Sequence, residues 1–404
     1  MRQTSQPHTH QKPQRHMHQT SQAHRRHSAA LLSLLCLGSL ISARVLAQPP
    51  APPPVPPVVS PEIAASGDVT LRLRAPEARK VIVTSGGDIP GLPREGLALT
   101  KGDDGVWQLT LPKLASGAYR YRYVVDGVPT NDPENPATSQ SNTMSWSLFY
   151  VPGAKWMDEQ RVPHGAIAAV HYYSSALGKP RRMQVYTPPG YERGRGTYPV
   201  FYLLHGAFDS DDAWPSVGRA GFIIDNLIAE GRAKPMVIVM PDGHTSRIVP
   251  GERGVLNVDD FVRDFNADIK PYVEQHYRVR TERSSTAIAG LSMGGLQTLD
   301  IAFGDLKDYA YVGVFSSGVF DVLRSTQWED QHRAQLDDAA LKKGLELVWF
   351  STGRDDGLLE TSTATVAMLK KHGFDVSYAQ SAGAHTWINW REYLEKFAPL
   401  LFQK

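Results

Sequence analysis

Two patterns of hydrophobic placement divide this chain. Between Asp68 and about Tyr150 apolar and polar residues alternate with a period of two. Val69-Thr70-Leu71-Arg72-Leu73-Arg74 is the cleanest case, and Val81–Val83, Val106–Leu111 and Tyr119–Val125 continue it. Alternation puts one face of a strand on a core and the other in water, as antiparallel sheets do. Asp126-Gly127 has the residues a tight hairpin turn demands. About seven short strands separated by turns predict an immunoglobulin-like β-sandwich over residues 62–155.

From about His164 the pattern changes. Short unbroken apolar or β-rich runs (Val200–Leu204, Met236–Met240, Thr286–Ala289, Val312–Phe315, Leu345–Phe350 and Val376–Ala379) alternate with stretches of helical periodicity. The latter are Asp259–Tyr277, Gly294–Phe303, Thr361–His372 and Ile388–Phe402. Strands apolar on both sides, each followed by an amphipathic helix, predict a mostly parallel sheet covered on both faces, filling residues 156–404. The expected fold class is therefore α/β, with an all-β domain ahead of it.

Composition changes the picture mainly at the N-terminus. Of 404 residues 41% are hydrophobic and 21% charged, which excludes disorder along the whole length. Residues 1–47 hold six of the 43 basic residues and none of the 41 acids, which leaves the remainder at net −4. A mildly acidic body argues against nucleic acid as a partner. Arg25-Arg26, the apolar run Ala29–Ile41 and the small residues around Ala47 predict a cleavable export signal over 1–47, hence a secreted or periplasmic protein. The run is too short for a permanent membrane span. Six of the 14 histidines fall within residues 1–27, and a discarded leader accounts for them better than a metal site. Residues 48–61 are proline-rich and predict an extended tether. The single cysteine, Cys36, lies in the leader, so the body has neither disulfides nor a thiol nucleophile.

The nucleophile must then be an oxygen or an amine, and Gly290-Leu291-Ser292-Met293-Gly294-Gly295 offers one. A Gly-x-Ser-x-Gly segment between a strand and a helix forms a tight turn that lifts the serine hydroxyl above the sheet, beside a helix N-terminus. A serine needs a base, which in this architecture follows it in the chain order Ser, acid, His. Three histidines follow Ser292. His372 reads as a helix-end residue and His332 as solvated, whereas His385 sits in a loop between a predicted strand and the last helix. His385 is therefore the expected base. The acid is expected in the exit loop Ser351–Gly357, where Asp356 is preferred and Asp355 is the alternative. Backbone N–H groups of Met293 and Ala207 are the expected oxyanion donors. Trp214, Trp387 and His205 are candidate substrate-binding residues, with core or loop-orienting roles as the competing reading. No metal or cofactor is implied.

Taken together, Tyr202-Leu203-Leu204-His205-Gly206, Gly290–Gly295, Gly353-Arg354-Asp355-Asp356-Gly357-Leu358 and His385-Thr386-Trp387 resemble the family-one carbohydrate esterases over about Ala166–Phe402. That group includes feruloyl and acetylxylan esterases and is related to the enterobactin esterases. The resemblance implies an α/β-hydrolase fold, supports Asp356 as the acid, and implies a feruloylated or acetylated poly- or oligosaccharide as substrate. Gly105-Val106-Trp107, Gly117–Tyr121 and Asp132-Pro133-Glu134-Asn135-Pro136 resemble a glycogen-binding-type module, with Trp107 as a conceivable sugar platform. Asn142–Phe149 is equally open to an interdomain role at the active-site rim. Three alternatives remain at this level. One is a siderophore trilactone esterase, for which Arg219, Arg247 and Arg253 would line a cationic cleft. The others are an acyltransferase and a non-catalytic glycan-binding protein.

Overall fold

The computed structural model describes residues 56–247 and 258–404. The expected leader with Cys36, most of the proline-rich tether, and Arg253 lie outside the described residues. Among those described, no helix is long and apolar enough to cross a membrane.

Residues 62–151 form two antiparallel sheets. One runs Glu62–Ile63, Val69–Arg74, Val106–Leu111, Thr100–Lys101. The other runs Leu97–Ala98, Val81–Thr84, Gly117–Val125, Ser145–Val151, Thr138–Gln140, with Val128–Thr130 paired to Gly117–Val125. The alternation read from the chain is the alternation of burial, with Val69, Leu71 and Leu73 inward and Thr70, Arg72 and Arg74 outward. Both sheets contribute to one core in which Tyr119, Tyr121, Tyr123 and Phe149 dominate. Buried tyrosines need partners for their hydroxyls. Asp132 supplies one, accepting from Tyr121 (2.7 Å) and from Ser60 Oγ (2.6 Å). Trp107 belongs to this core and donates its indole N–H to the Ala75 carbonyl, so it presents no ring for a sugar.

Residues 166–381 build one eight-stranded sheet. Ala166–Ser174 and Lys179–Thr187 form an antiparallel hairpin at one edge. The strands Val237–Pro241, Val200–Leu204, Thr286–Leu291, Tyr311–Phe315, Leu347–Gly353 and Ser377–Ser381 then follow across the sheet, all mutually parallel. The helices Ala220–Ala229 and Trp387–Phe397 pack on one face. The other face carries the segment 258–276, the helix Met293–Gly304 and the helix Leu359–Lys371. Segment 258–276 reads as one helix in the sequence but contains a π-helical turn, Phe265–Ile269, between two α-helical pieces.

The two parts share buried surface. Ala118 of the sandwich and Met157 belong to the same apolar cluster as Trp214, Trp387 and Trp390. Arg391, 1% exposed in the last helix, donates to the carbonyls of Ala118 (3.1 Å) and Val217 (2.9 Å). The Arg219 guanidinium lies 3.6 Å from the Tyr150 ring centre and 4.3 Å from that of Phe222.

Candidate active site

The strand Thr286–Leu291 ends in the middle of the sheet, and the chain turns at once into the helix Met293–Gly304. Ser292 forms the turn with φ 52° and ψ −118°, a conformation a non-glycine residue adopts only when its surroundings enforce it. Enforcement is visible. The Ser292 N–H donates to the Phe315 carbonyl (2.9 Å), and its own carbonyl accepts from Ser317 Oγ (2.6 Å). Glycine at 290 and 294 is required by close approach: a Cβ on Gly290 would strike the Gly294 carbonyl, and one on Gly294 would strike that of His205.

Two further loops rise from the same ends of neighbouring strands. Asp356 follows Leu347–Gly353, and His385 follows Ser377–Ser381. The loops are tied together by the Arg354 N–H to the Ser381 carbonyl (2.9 Å) and the Asp355 N–H to the Gly383 carbonyl (3.0 Å). They bring His385 Nε2 to 2.9 Å from Ser292 Oγ, and His385 Nδ1 to 3.0 Å from both carboxylate oxygens of Asp356. Carboxylate, imidazole and hydroxyl therefore stand in one hydrogen-bonded row. Asp356 is 5% exposed, whereas Asp355 points its side chain to solvent. Burial pushes the Asp356 carboxyl up, but the His385 hydrogen bond and charge and the Leu358 amide outweigh it and hold the group below its usual range. An ionised carboxylate on Nδ1–H leaves the Nε2 lone pair facing the serine proton, the arrangement that makes a hydroxyl a nucleophile. Asn389, which sequence reasoning missed, anchors the histidine loop by donating to the Ala382 carbonyl (2.7 Å) and Ser381 Oγ (3.0 Å).

Opposite this row stands the turn Gly206–Asp209, which leaves the strand Val200–Leu204. Among the turn and loop backbone hydrogen bonds of the described residues, none is donated by the Ala207 or Met293 N–H. His205 is 1% exposed. Its Nδ1–H donates to the Gly206 carbonyl (2.8 Å) and its Nε2 accepts the Gly243 N–H (2.8 Å). It orients the loop and cannot touch substrate, which corrects its candidacy as a substrate-binding residue. Trp214 and Trp387 need the same correction. At 1% and 2% exposure they pack edge-to-face, 5.0 Å apart, beneath the site, with the Trp214 indole donating to the Leu204 carbonyl. Trp390 continues the stack and meets the His385 ring edge-on at 5.0 Å.

The exposed aromatic ring of this region is Phe208, which is 68% exposed with φ 68°. Its N–H donates to His244 Nε2 (3.0 Å). His244, chiefly through burial and secondarily through the neighbouring His205, is pushed down to about 4 and so stays neutral to receive that bond. Neither residue was singled out from the sequence. A histidine in Pro241-Asp242-Gly243-His244, just past the end of a parallel strand, was the available signal. Beside the turn lies a cavity of 570 Å³ whose lining includes Gln140, Asn142, Lys179, Arg182, Asp211, His244 and Arg247. Arg182 is paired with Asp211 (2.6 Å), Lys179 donates to the Thr245 carbonyl, and Arg247 donates to the Thr143 carbonyl (3.1 Å). Arg219, stacked on Tyr150, is not part of this cavity's lining. Among the described residues no group of three or more His, Cys, Asp or Glu could hold a metal ion.

The sequence model of the Esterase family matches residues 174–400. An endo-1,4-beta-xylanase/feruloyl esterase of Xylanibacter ruminicola is 30% identical over 351 residues, which is 84% of this chain and 46% of that protein. The chain thus spans less than half the length of the first curated relatives it matches. Among solved structures, a CE1 ferulic acid esterase from Anaeromyces mucronatus in complex with ferulic acid is 25% identical with a TM-score of 0.54, over 62% of this chain and 96% of that one. The enterobactin esterase of Shigella flexneri, at 18% identity and TM-score 0.58, covers 83% of this chain and 93% of its own, a likeness of fold alone. The sheet order, the helices on both faces and these neighbours make the second part of the chain an α/β-hydrolase-like fold. From its matched family model and its relatives, the chain belongs to the esterase family.

Proposed function

We propose that the protein is a serine carboxylic-ester hydrolase that releases hydroxycinnamate, ferulate first among them, from esterified plant cell-wall xylan, with acetylated xylan as a further substrate. The row Asp356–His385–Ser292 carries this reading. Ser292 Oγ attacks the ester carbonyl carbon as its proton passes to His385 Nε2. The Ala207 and Met293 N–H groups receive the charge on the carbonyl oxygen, and Asp356 stabilises the imidazolium. His385 returns the proton to the departing sugar hydroxyl as the C–O bond breaks. Water, deprotonated by the same nitrogen, then cleaves the acyl-serine and restores the hydroxyl. Naming ferulate rests on the names borne by the Xylanibacter relative and the Anaeromyces neighbour.

The same proposal takes residues 1–47 as a cleaved leader, 48–61 as a tether and 62–155 as an immunoglobulin-like, glycogen-binding-type module on an exported enzyme. A second reading, a trilactone siderophore esterase, draws on the fold likeness that runs across 83% of the chain, the sandwich included. The paired state of Arg182, Lys179 and Arg247 weighs against it, since an anionic substrate would want cations not already engaged. A panel of methyl ferulate, acetylated xylan, p-nitrophenyl acetate and a ferric catecholate trilactone, with product identification, separates the readings. Ferulate release with the trilactone untouched is expected. Ser292→Ala should lower turnover by about 10⁴-fold or more with the fold intact. Hydrolysis by that variant at the wild-type rate would remove the basis of the proposal.

A further inference from the structure

The turn that presents the Ala207 N–H is poorly held by its own backbone. It spans Gly206–Asp209 and is closed by the Asp209 N–H on the Gly206 carbonyl at 3.3 Å, a long bond. Its third residue is Phe208 at φ 68°, a left-handed position that such turns normally give to glycine. A strained turn keeps one geometry only if outside contacts over-determine it.

Two of those contacts come from the hydrolase-like part, as His205 takes the Gly206 carbonyl and His244 the Phe208 N–H. The others cross from the sandwich. Arg120, in the strand Gly117–Val125, donates from Nη1 to Asp209 Oδ1 at 2.6 Å while its Nε holds Asp88 at 2.5 Å. All three side chains are largely buried. The Asn142 N–H donates to the Phe208 carbonyl (3.0 Å). Next to it, the Gln140 N–H donates to Asp212 (2.7 Å) and the Gln140 carbonyl accepts from Ser210 Oγ (3.1 Å). Phe208 is thus gripped at its N–H by one part of the molecule and at its carbonyl by the other.

We propose that the sandwich is a working part of the esterase site, with Arg120, acting through Asp209, as a positioning residue for the Ala207 oxyanion donor. The inference rests on the reading of Ala207 in the preceding section. An oxyanion donor contributes about 10²- to 10³-fold in turnover, and only if it is held within about 0.5 Å of its place. Loosening the turn should therefore cost turnover more than substrate binding.

The test uses the full chain and methyl ferulate. Asp209→Asn removes the ionic hold on the turn. Asp132→Asn, the control, removes a buried carboxylate from the sandwich core that bonds Tyr121 and Ser60 and neither Arg120 nor the turn. Expected for Asp209→Asn is a kcat lowered tenfold or more with KM within threefold of wild type. Asp132→Asn should lower the melting temperature while kcat stays within threefold. Should Asp209→Asn fail to fold, Arg120→Lys, which keeps the charge but cannot serve both carboxylates as a fork, should show the same split between kcat and KM. Wild-type kcat in Asp209→Asn or Arg120→Lys overturns the proposal, as does an equal loss of kcat in Asp209→Asn and Asp132→Asn. Ser292→Ala, run alongside, tells the two failures apart. If it is inactive while Asp209→Asn is fully active, only the positioning role is lost. If it is active, the serine site itself is misread.

Discussion

At the residue scale the site is a set of choices between neighbours of the same chemistry. Asp355 and Asp356 are adjacent, yet only Asp356 turns inward to His385 Nδ1. Asp356→Asn should cut kcat by roughly 10³- to 10⁴-fold, because an amide at that place favours the wrong imidazole tautomer. Asp355→Asn should change kcat by less than threefold, and initial rates on methyl ferulate check both. His244 makes a second, pH-dependent prediction. Its folded-state value of about 4 lies below the usual histidine value, so between about pH 6.5 and 4 the unfolded chain binds a proton that the folded one refuses. Stability should therefore fall as pH drops through that window, by roughly 3 kcal/mol from this group. Urea melts should therefore lose stability more steeply between about pH 6.5 and 4 in wild type than in His244→Gln, which lacks the titrating imidazole. Ser292, His385 and Asp356 were legible in the sequence because a nucleophile elbow and a fixed chain order constrain them. His244, Phe208 and Asn389 were not, since each acts on a backbone atom that only folding brings near. Trp214 and Trp387 misled for another reason: a core tryptophan and a platform tryptophan are spelled alike.

At the element scale, the parallel strands could be read to within a few residues, for a run apolar on both faces has few other uses. The hairpin Ala166–Ser174 and Lys179–Thr187 escaped notice. Its first strand lies at the sheet edge with most of its side chains exposed, and so lacks the apolar run that marks the others. The helix Ala220–Ala229 was missed as well, and the π-turn in 258–276 leaves no trace in a period of 3.6. Packing between elements shapes the site at Gly294, where the helix Met293–Gly304 lies against the backbone of Leu204 and His205. Gly294→Ala should push the helix from the strand that leads into the Gly206–Asp209 turn. The expected cost is about 1–3 kcal/mol in stability, the ordinary range for overpacking, with kcat lowered further than that loss alone would explain. Urea titration beside steady-state kinetics measures the two effects separately, and an unchanged kcat would show that the strand yields without disturbing the turn.

On the scale of the whole molecule, the joint between the two parts was the least legible feature, because nothing in either pattern says which surfaces meet. Only Asn142–Phe149 hinted at it. The joint is built as an interior: Ala118, Leu148, Tyr150 and Met157 pack into the same apolar cluster as the last helix, and Ile388 of that helix packs against the sandwich core. Arg391 crosses it as a guanidinium whose hydrogen bonds go to carbonyls, and burial pushes it down to about 10. Two parts sharing buried apolar surface cannot separate without exposing it, so they should unfold together. Calorimetry of the full chain is expected to give one transition with equal calorimetric and van't Hoff enthalpies. Arg391→Met, similar in length, leaves the Ala118 and Val217 carbonyls without their donor and should lower the midpoint by a few degrees, at about 1–3 kcal/mol for a buried group left unpaired. Because the joint belongs to both parts, the shift should be the same whether read from the β-rich far-ultraviolet signal or from activity. Two transitions, or a shift confined to one probe, would mean that the sandwich and the sheet fold independently and that Arg391 merely lies between them.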